Sequence, residues 1–175
     1  MHTLMIDTRQ QAGKHTAKDL YFEKVGIPTV RTKLLVGDYQ YVGGMVAVDT
    51  KRNIQEVVGN LCEASEHRRF RAEADLAYQT KIKLYVLIEN TEGIRNIDGL
   101  IKWSNPRYKA WFFRNRAANG GKVSGNRQRF APVKNVTLIK IMRTFAKNHH
   151  VEFVFCHPDE AGRKILELLG DPNEG

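Results

Sequence analysis

Between Lys83 and Glu89 runs Leu84-Tyr85-Val86-Leu87-Ile88, five consecutive apolar residues bounded by charge. A run this short and this uniform predicts a strand at the centre of a sheet, covered on both faces. Such a strand needs a layer on each side, and the rest of the chain has the periodicities to provide them. Thr16 to Val25 predicts an amphipathic helix with Ala17, Leu20, Tyr21 and Val25 inward, stopped by Gly26 and Pro28. Asn53 is a fitting N-cap for a long helix bearing Ile54, Val57, Val58 and Leu61 and continuing to about Tyr78. Further helices are expected from Ile97 to Ile101, from Pro106 to Ala118, from Asn135 to Asn148 and after Pro158. Strands are expected at Leu4 to Asp7, Val151 to Phe155, and in a hairpin-like pair, Thr29 to Val36 with Met45 to Lys51, around the Gly37-Asp38-Tyr39 corner. The loops 119–126 and the polar tail 171–175 complete the chain. This order predicts a three-layer α/β fold around a mixed sheet, and 175 residues suit one domain.

Charge is distributed unevenly along that domain. From Gly99 to Val151 there is no Asp or Glu but there are twelve basic residues, while the other 16 basic residues face all 19 acidic ones. A basic segment at about 98–134, inserted into a slightly acidic body, is the asymmetry expected of a protein that holds a phosphate backbone. Arg107, Lys109, Arg114, Arg116, Lys122, Arg127 and Arg129 are its candidate contacts, interleaved with Trp103, Tyr108, Trp111, Phe112, Phe113 and Phe130. Aromatic rings among cations suit stacking on unpaired bases, although Trp111, Phe112 and Phe113 equally suit the core of a helical insertion. Cys62 and Cys156 have neither the spacing of a disulfide framework nor a zinc-binding partner, so both are expected to be reduced. Without an apolar stretch long enough to span a bilayer, the chain is expected to be cytoplasmic.

Candidate chemistry gathers at predicted strand ends. Asp49 and Lys51 are two apart on a strand and therefore share a face. Asp7 ends the first strand and Asp38 lies at the predicted corner. Carboxylates beside a lysine form a hard oxygen site suited to magnesium, although solvated turn acids and a surface lysine are the plainer reading of the same residues. His149-His150 have no acidic partner nearby and read as exposed loop positions, and His67, within Glu66-His67-Arg68-Arg69, reads as part of a solvated helix face.

The longer match is more specific. Val36-Gly37-Asp38-Tyr39, then Asp49-Thr50-Lys51-Arg52-Asn53-Ile54 and a helix with Gly59-Asn60-Leu61, resembles the nuclease domain of the XPF family of structure-specific endonucleases. Ile6-Asp7-Thr8-Arg9, the strand ending in Glu89, and Arg68-Arg69-Phe70 are similar to further parts of that domain. The resemblance implies a restriction-endonuclease-like fold with a central mixed sheet, and a Mg2+- or Mn2+-dependent DNA endonuclease acting on branched, junction or flap DNA. By resemblance Asp7, Asp38 and Asp49 would be metal ligands and Lys51 the catalytic lysine, with Arg9 as phosphate contact or structural support and Arg68 and Arg69 on the nucleic acid. It also implies a homodimer contact through helices beyond the core. Asp49 stands where the family has Glu, Thr50 where it has Arg, and Gln10 and Gln55 where it has acids. Those losses keep open a second reading, a catalytically inactive nucleic-acid-binding module on a nuclease fold, and RNA remains an alternative substrate.

Overall fold

A computed structural model describes residues 2–9, 16–118, 120–121 and 131–170. Gln10, Lys122, Arg127, Arg129, Phe130, most of the 119–126 loop and the tail 171–175 lie outside the described residues. The strands are β1 (Leu4–Asp7), β2 (Thr29–Thr32), β3 (Tyr39–Tyr41), β4 (Val46–Lys51), β5 (Lys83–Glu89) and β6 (Glu152–Cys156). The helices are α1 (Thr16–Lys24), α2 (Ile54–Cys62), α3 (Ala64–Gln79), α4 (Pro106–Ala118), α5 (Asn135–His149) and α6 (Ala161–Leu169), with short 3-10 turns at Asp98–Lys102 and Pro158–Glu160.

The six strands form one mixed sheet in the order β2-β1-β3-β4-β5-β6. β5 is parallel to both β4 and β6, and Leu84, Val86, Leu87 and Ile88 are all buried, as a strand covered on both faces requires. One face carries Ala47, Leu84, Val86, Ile88, Phe153 and Phe155 against α2, α3 and α5. The opposite face carries Leu4, Ile6, Tyr39, Val48 and Leu87 against Phe22 of α1 and Ala161, Ile165 and Leu169 of α6. The expected three-layer α/β architecture is therefore present.

Three local expectations are corrected. Thr29 to Val36 does not form a hairpin with β4. β2 instead pairs in parallel with β1 at the sheet edge, and the hairpin is β3–β4, turned at Gly43 and Gly44. Gly43 has φ +76, which an L side chain rarely adopts, so the paired glycines mark the turn and Asp38 lies just before β3. The long helix is broken at Glu63, whose backbone is extended (φ −93, ψ 124), giving α2 and α3. Finally, α1 turns a different side inward. Leu20 and Val25 are exposed, whereas Lys18 and Phe22, one turn apart, are buried. Phe22 packs edge-on against Tyr39, and Lys18 Nζ reaches Glu89 Oε1 at 2.5 Å. That buried partner at the end of β5 outweighs the apolar pattern of the helix.

Candidate active site

β1 and β4 run parallel to one another, each antiparallel to β3, so the C-terminal ends of β1 and β4 and the start of β3 lie at the same end of the central strands. Asp7, Asp38, Asp49 and Lys51 all come to that end. Backbone bonds join them in series: the Asp7 amide donates to the Asp38 carbonyl at 2.9 Å, and the Asp38 amide to the Val48 carbonyl at 2.8 Å.

Their side chains have different surroundings. Asp7 is buried, and its carboxylate accepts from the Arg9 amide (2.6 Å), Arg9 Nε (2.8 Å), Arg9 Nη2 (2.9 Å) and the Leu34 amide (2.8 Å). Burial works against its charge, but the Arg9 side chain and these two amides outweigh it and hold the carboxyl below the usual range. Asp7 and Arg9 thus clamp the segment leading to Gly37. Asp38 Oδ2 accepts from the Thr50 amide (2.8 Å) and Thr50 Oγ1 (2.6 Å), leaving Oδ1 outside these bonds.

Asp49 and Lys51 share a strand face with Ala47 and so face the α2–α3 layer. Lys51 Nζ lies 2.8 Å from Asp49 Oδ2 and 5.3 Å from the centre of the Phe70 ring. Burial pushes the Asp49 carboxyl up to about 7; Lys51 pulls it down, while the negative charges of Asp38 and Glu73 add to the rise. Burial opposes the Lys51 charge, yet the Asp49 carboxylate beside it raises its pKa overall. The centre is therefore an ammonium within converging negative charge.

Sequence reasoning missed Glu73. Its Oε1 accepts from the Gly37 amide at 2.8 Å, tying α3 to the residue before Asp38. Glu66, Arg69, Phe70 and Glu73 recur at helical spacing, so a polar stripe along one face of α3 was the available signal. These four residues, with Arg9, Lys51 and Asn60, line a cleft of about 420 Å³. Asn60 Oδ1 is buried without a hydrogen-bond partner, an acceptor for which a ligand donor would compensate. Gln55, in the first turn of α2, likewise has both amide atoms buried and unpaired.

Among the nucleic-acid candidates, Arg9 and Arg69 reach the cleft, Arg69 while bonded to Glu66, and Arg68 is exposed on α3. Arg107, Lys109, Arg114 and Arg116 lie apart from the centre, exposed along α4. Arg107 Nη1 is 3.3 Å from Glu63 Oε1, which joins the start of α4 to the α2–α3 break. The histidine expectation is corrected for His149, which is half-buried with Nδ1 2.6 Å from Asp75 Oδ1 because α3 and α5 bring together residues distant in sequence, whereas His150 is exposed, as expected, with its ring stacked on Tyr78 at 4.1 Å between centres. Cys62 and Cys156 are both free thiols.

Among the described residues no three carboxylate, histidine or cysteine groups stand ready to hold an ion together, and no helix is long and apolar enough to cross a membrane. In comparisons with known proteins, no family model and no curated sequence matches the chain.

Proposed function

We propose that this chain is a metal-dependent DNA endonuclease similar to the XPF nuclease domain. The observation that carries the reading is the placement of Asp38, Asp49 and Lys51 at one end of the central strands, beside an arginine-lined cleft. These are the residues whose spacing resembles that family's motif.

The donor chemistry fits magnesium or manganese. Magnesium commonly takes one or two carboxylates and completes its shell with water and substrate phosphate, so a cage of three acids is not required. Asp38 and Asp49 would hold it, and the negative field of Asp38 and Glu73 on buried Asp49 is repulsion that a cation relieves. When bound, the ion supplies Lewis-acid activation of water and charge neutralisation at the phosphodiester.

The protein's own groups do the rest. Thr50 fixes Asp38 through two donors, which aims its remaining oxygen. Lys51, held by Asp49 and the Phe70 ring, keeps its proton and can donate to a phosphate oxygen or orient a water. Arg9 and Arg69 at the cleft suit the scissile-strand phosphates. In this arrangement Asp7 acts through Arg9 and Leu34 and is a positioning residue.

The test is incubation of the purified chain with labelled linear, flap and four-way DNA in magnesium, manganese or chelator, beside Asp38→Asn and Lys51→Ala. Cleavage that needs the metal, and is lost in both variants while DNA binding stays within a few-fold, supports the reading. DNA binding without cleavage under any metal would instead establish the inactive nucleic-acid-binding module. Cleavage by both variants at the wild-type rate removes the assigned centre.

A further inference from the structure

Not all of the cleft beside the centre is charged. Alongside Arg9, Lys51, Glu66, Arg69 and Glu73 it is lined by Leu35, Ala72 and Leu76. Leu35 is 54% exposed, Ala72 is exposed and Leu76 is half-buried. A single exposed leucine is ordinary on a protein surface. These three residues, however, belong to one cleft. Ala72 and Leu76 are one turn apart on α3, and the bond from the Gly37 amide to Glu73 holds the segment carrying Leu35 against the same stretch of that helix.

The segment is anchored on both sides. Leu34 and Val36, the neighbours of Leu35, are buried. The Leu34 amide donates to Asp7 Oδ2 at 2.8 Å, Arg9 Nη2 donates to the Leu34 carbonyl at 3.3 Å, and the Gly37 amide donates to Glu73 Oε1 at 2.8 Å. With its neighbours fixed to β1 and to α3, the backbone of Leu35 has little room to retreat, and its side chain stands at the cleft half in water. An apolar group ordered in this way forgoes burial in the free protein and leaves that burial for a ligand to supply.

The ligand must also suit the rest of the lining. Arg9, Lys51 and Arg69 suit an anion such as a phosphodiester. A continuous duplex offers them its phosphates, but its apolar base faces are covered by stacking. Those faces open where stacking is broken, and proteins reach them there with inserted leucine, isoleucine or phenylalanine side chains. An unstacked nucleotide therefore matches both parts of the cleft, with its base against the apolar side chains and its phosphate among the cations. We propose that Leu35 is a wedge that packs on the face of a base at a break in DNA stacking, and so selects which phosphate reaches the centre. The choice of DNA and the link to cutting rest on the nuclease reading, whereas the wedge is read by binding alone.

The full chain is titrated in chelator and low salt with two DNAs of equal length carrying 2-aminopurine, a base whose emission rises when its stacking is lost. One is a continuous duplex, and in the other the probe sits in the last base pair before a single-stranded flap. Wild type should raise the emission of the flap DNA and leave that of the continuous duplex unchanged. Leu35→Ala should lose most of the rise and bind the flap DNA roughly tenfold more weakly, against roughly twofold or less for the continuous duplex. Leu35→Met, which keeps a long apolar side chain, should retain both. Because Leu35 is exposed, these variants should fold, and an unchanged Tm checks it. No rise with wild type, the same rise and affinity in Leu35→Ala, or an equal loss of affinity on both DNAs overturns the wedge. A mononucleotide that displaces the flap DNA at a comparable concentration overturns the choice of a strand as the occupant. The two readings fail separately. A rise in emission without cleavage under any metal keeps the wedge and removes the nuclease, whereas metal-dependent cleavage with no response to Leu35→Ala removes the wedge alone.

Discussion

Asp7→Asn separates a positioning role from a metal-ligand role, because the two predict opposite effects on the stability of the free protein. The Asp7 carboxylate is buried and accepts four hydrogen bonds, three of them from Arg9. Asparagine keeps one acceptor oxygen but presents an NH2 group to the remaining donors. A hydrogen bond involving a charged group contributes about 1.5–3 kcal/mol. The Arg9 side chain is 57% exposed, so water screens its half of the pair and the contribution is discounted. A loss of about 2–4 kcal/mol is therefore expected at neutral pH, and in a chain of this size that lowers Tm by roughly 5–15 °C. The pH dependence follows from the lowered pKa of Asp7. Its stabilisation is present above the unfolded-state value and is lost as pH falls through the folded-state value. The gap between wild type and variant should thus stay constant from about pH 5 to 8 and close progressively below about pH 4. Urea unfolding followed by circular dichroism at each pH measures it. A variant as stable as wild type, or more stable, would refute the clamp. Removing a carboxylate from a self-repelling metal centre should stabilise the free protein.

Three further perturbations probe the same structure. Glu89→Gln leaves Lys18 as a buried cation without its partner and should cost about 3–5 kcal/mol in thermal unfolding, whereas Lys18→Met with Glu89→Leu should recover most of that loss; a double variant no better than the single one removes the ion pair as the cause. With its folded-state pKa near 7, Asp49 contributes stability at acid pH that is lost as pH rises from about 4 through about 7. The wild-type urea midpoint should fall across that window, and in Asp49→Asn, whatever its absolute stability, that part of the slope should vanish. Gly37 has φ +71, and a Cβ there would lie 3.2 Å from both Ala47 Cβ and the Val48 carbonyl oxygen, so Gly37→Ala should cost about 1–2 kcal/mol and, on the nuclease reading proposed above, slow cleavage by displacing Asp38. Unchanged stability and rate in that variant would show that the corner adapts freely.

Several features were legible in the residues alone. The strand at Lys83–Glu89, the helices at Pro106–Ala118 and near Asn135–His149, and the common face of Asp49 and Lys51 all follow from backbone periods of two or 3.6 residues. Those periods depend on a few neighbouring residues and hold wherever the segment is placed. The basic character of the stretch around α4 was legible for the same reason, as it requires only a count of charges. Pairing was not. Thr29–Thr32 has the composition of a strand, but whether it joins β4 or lies at the edge beside β1 is decided by which neighbour the completed sheet leaves free. Lys18 is polar in a helix with apolar alternatives, and its burial makes sense only once Glu89 is brought beneath it. Asp7 changed meaning and Glu73 acquired one in the same way: Arg9 and Leu34 occupy the first, and α3 carries the second to Gly37. A carboxylate's local sequence states its charge, but its partners and solvent exposure arise from segments far along the chain, and these determine whether it holds a loop or lines a cleft.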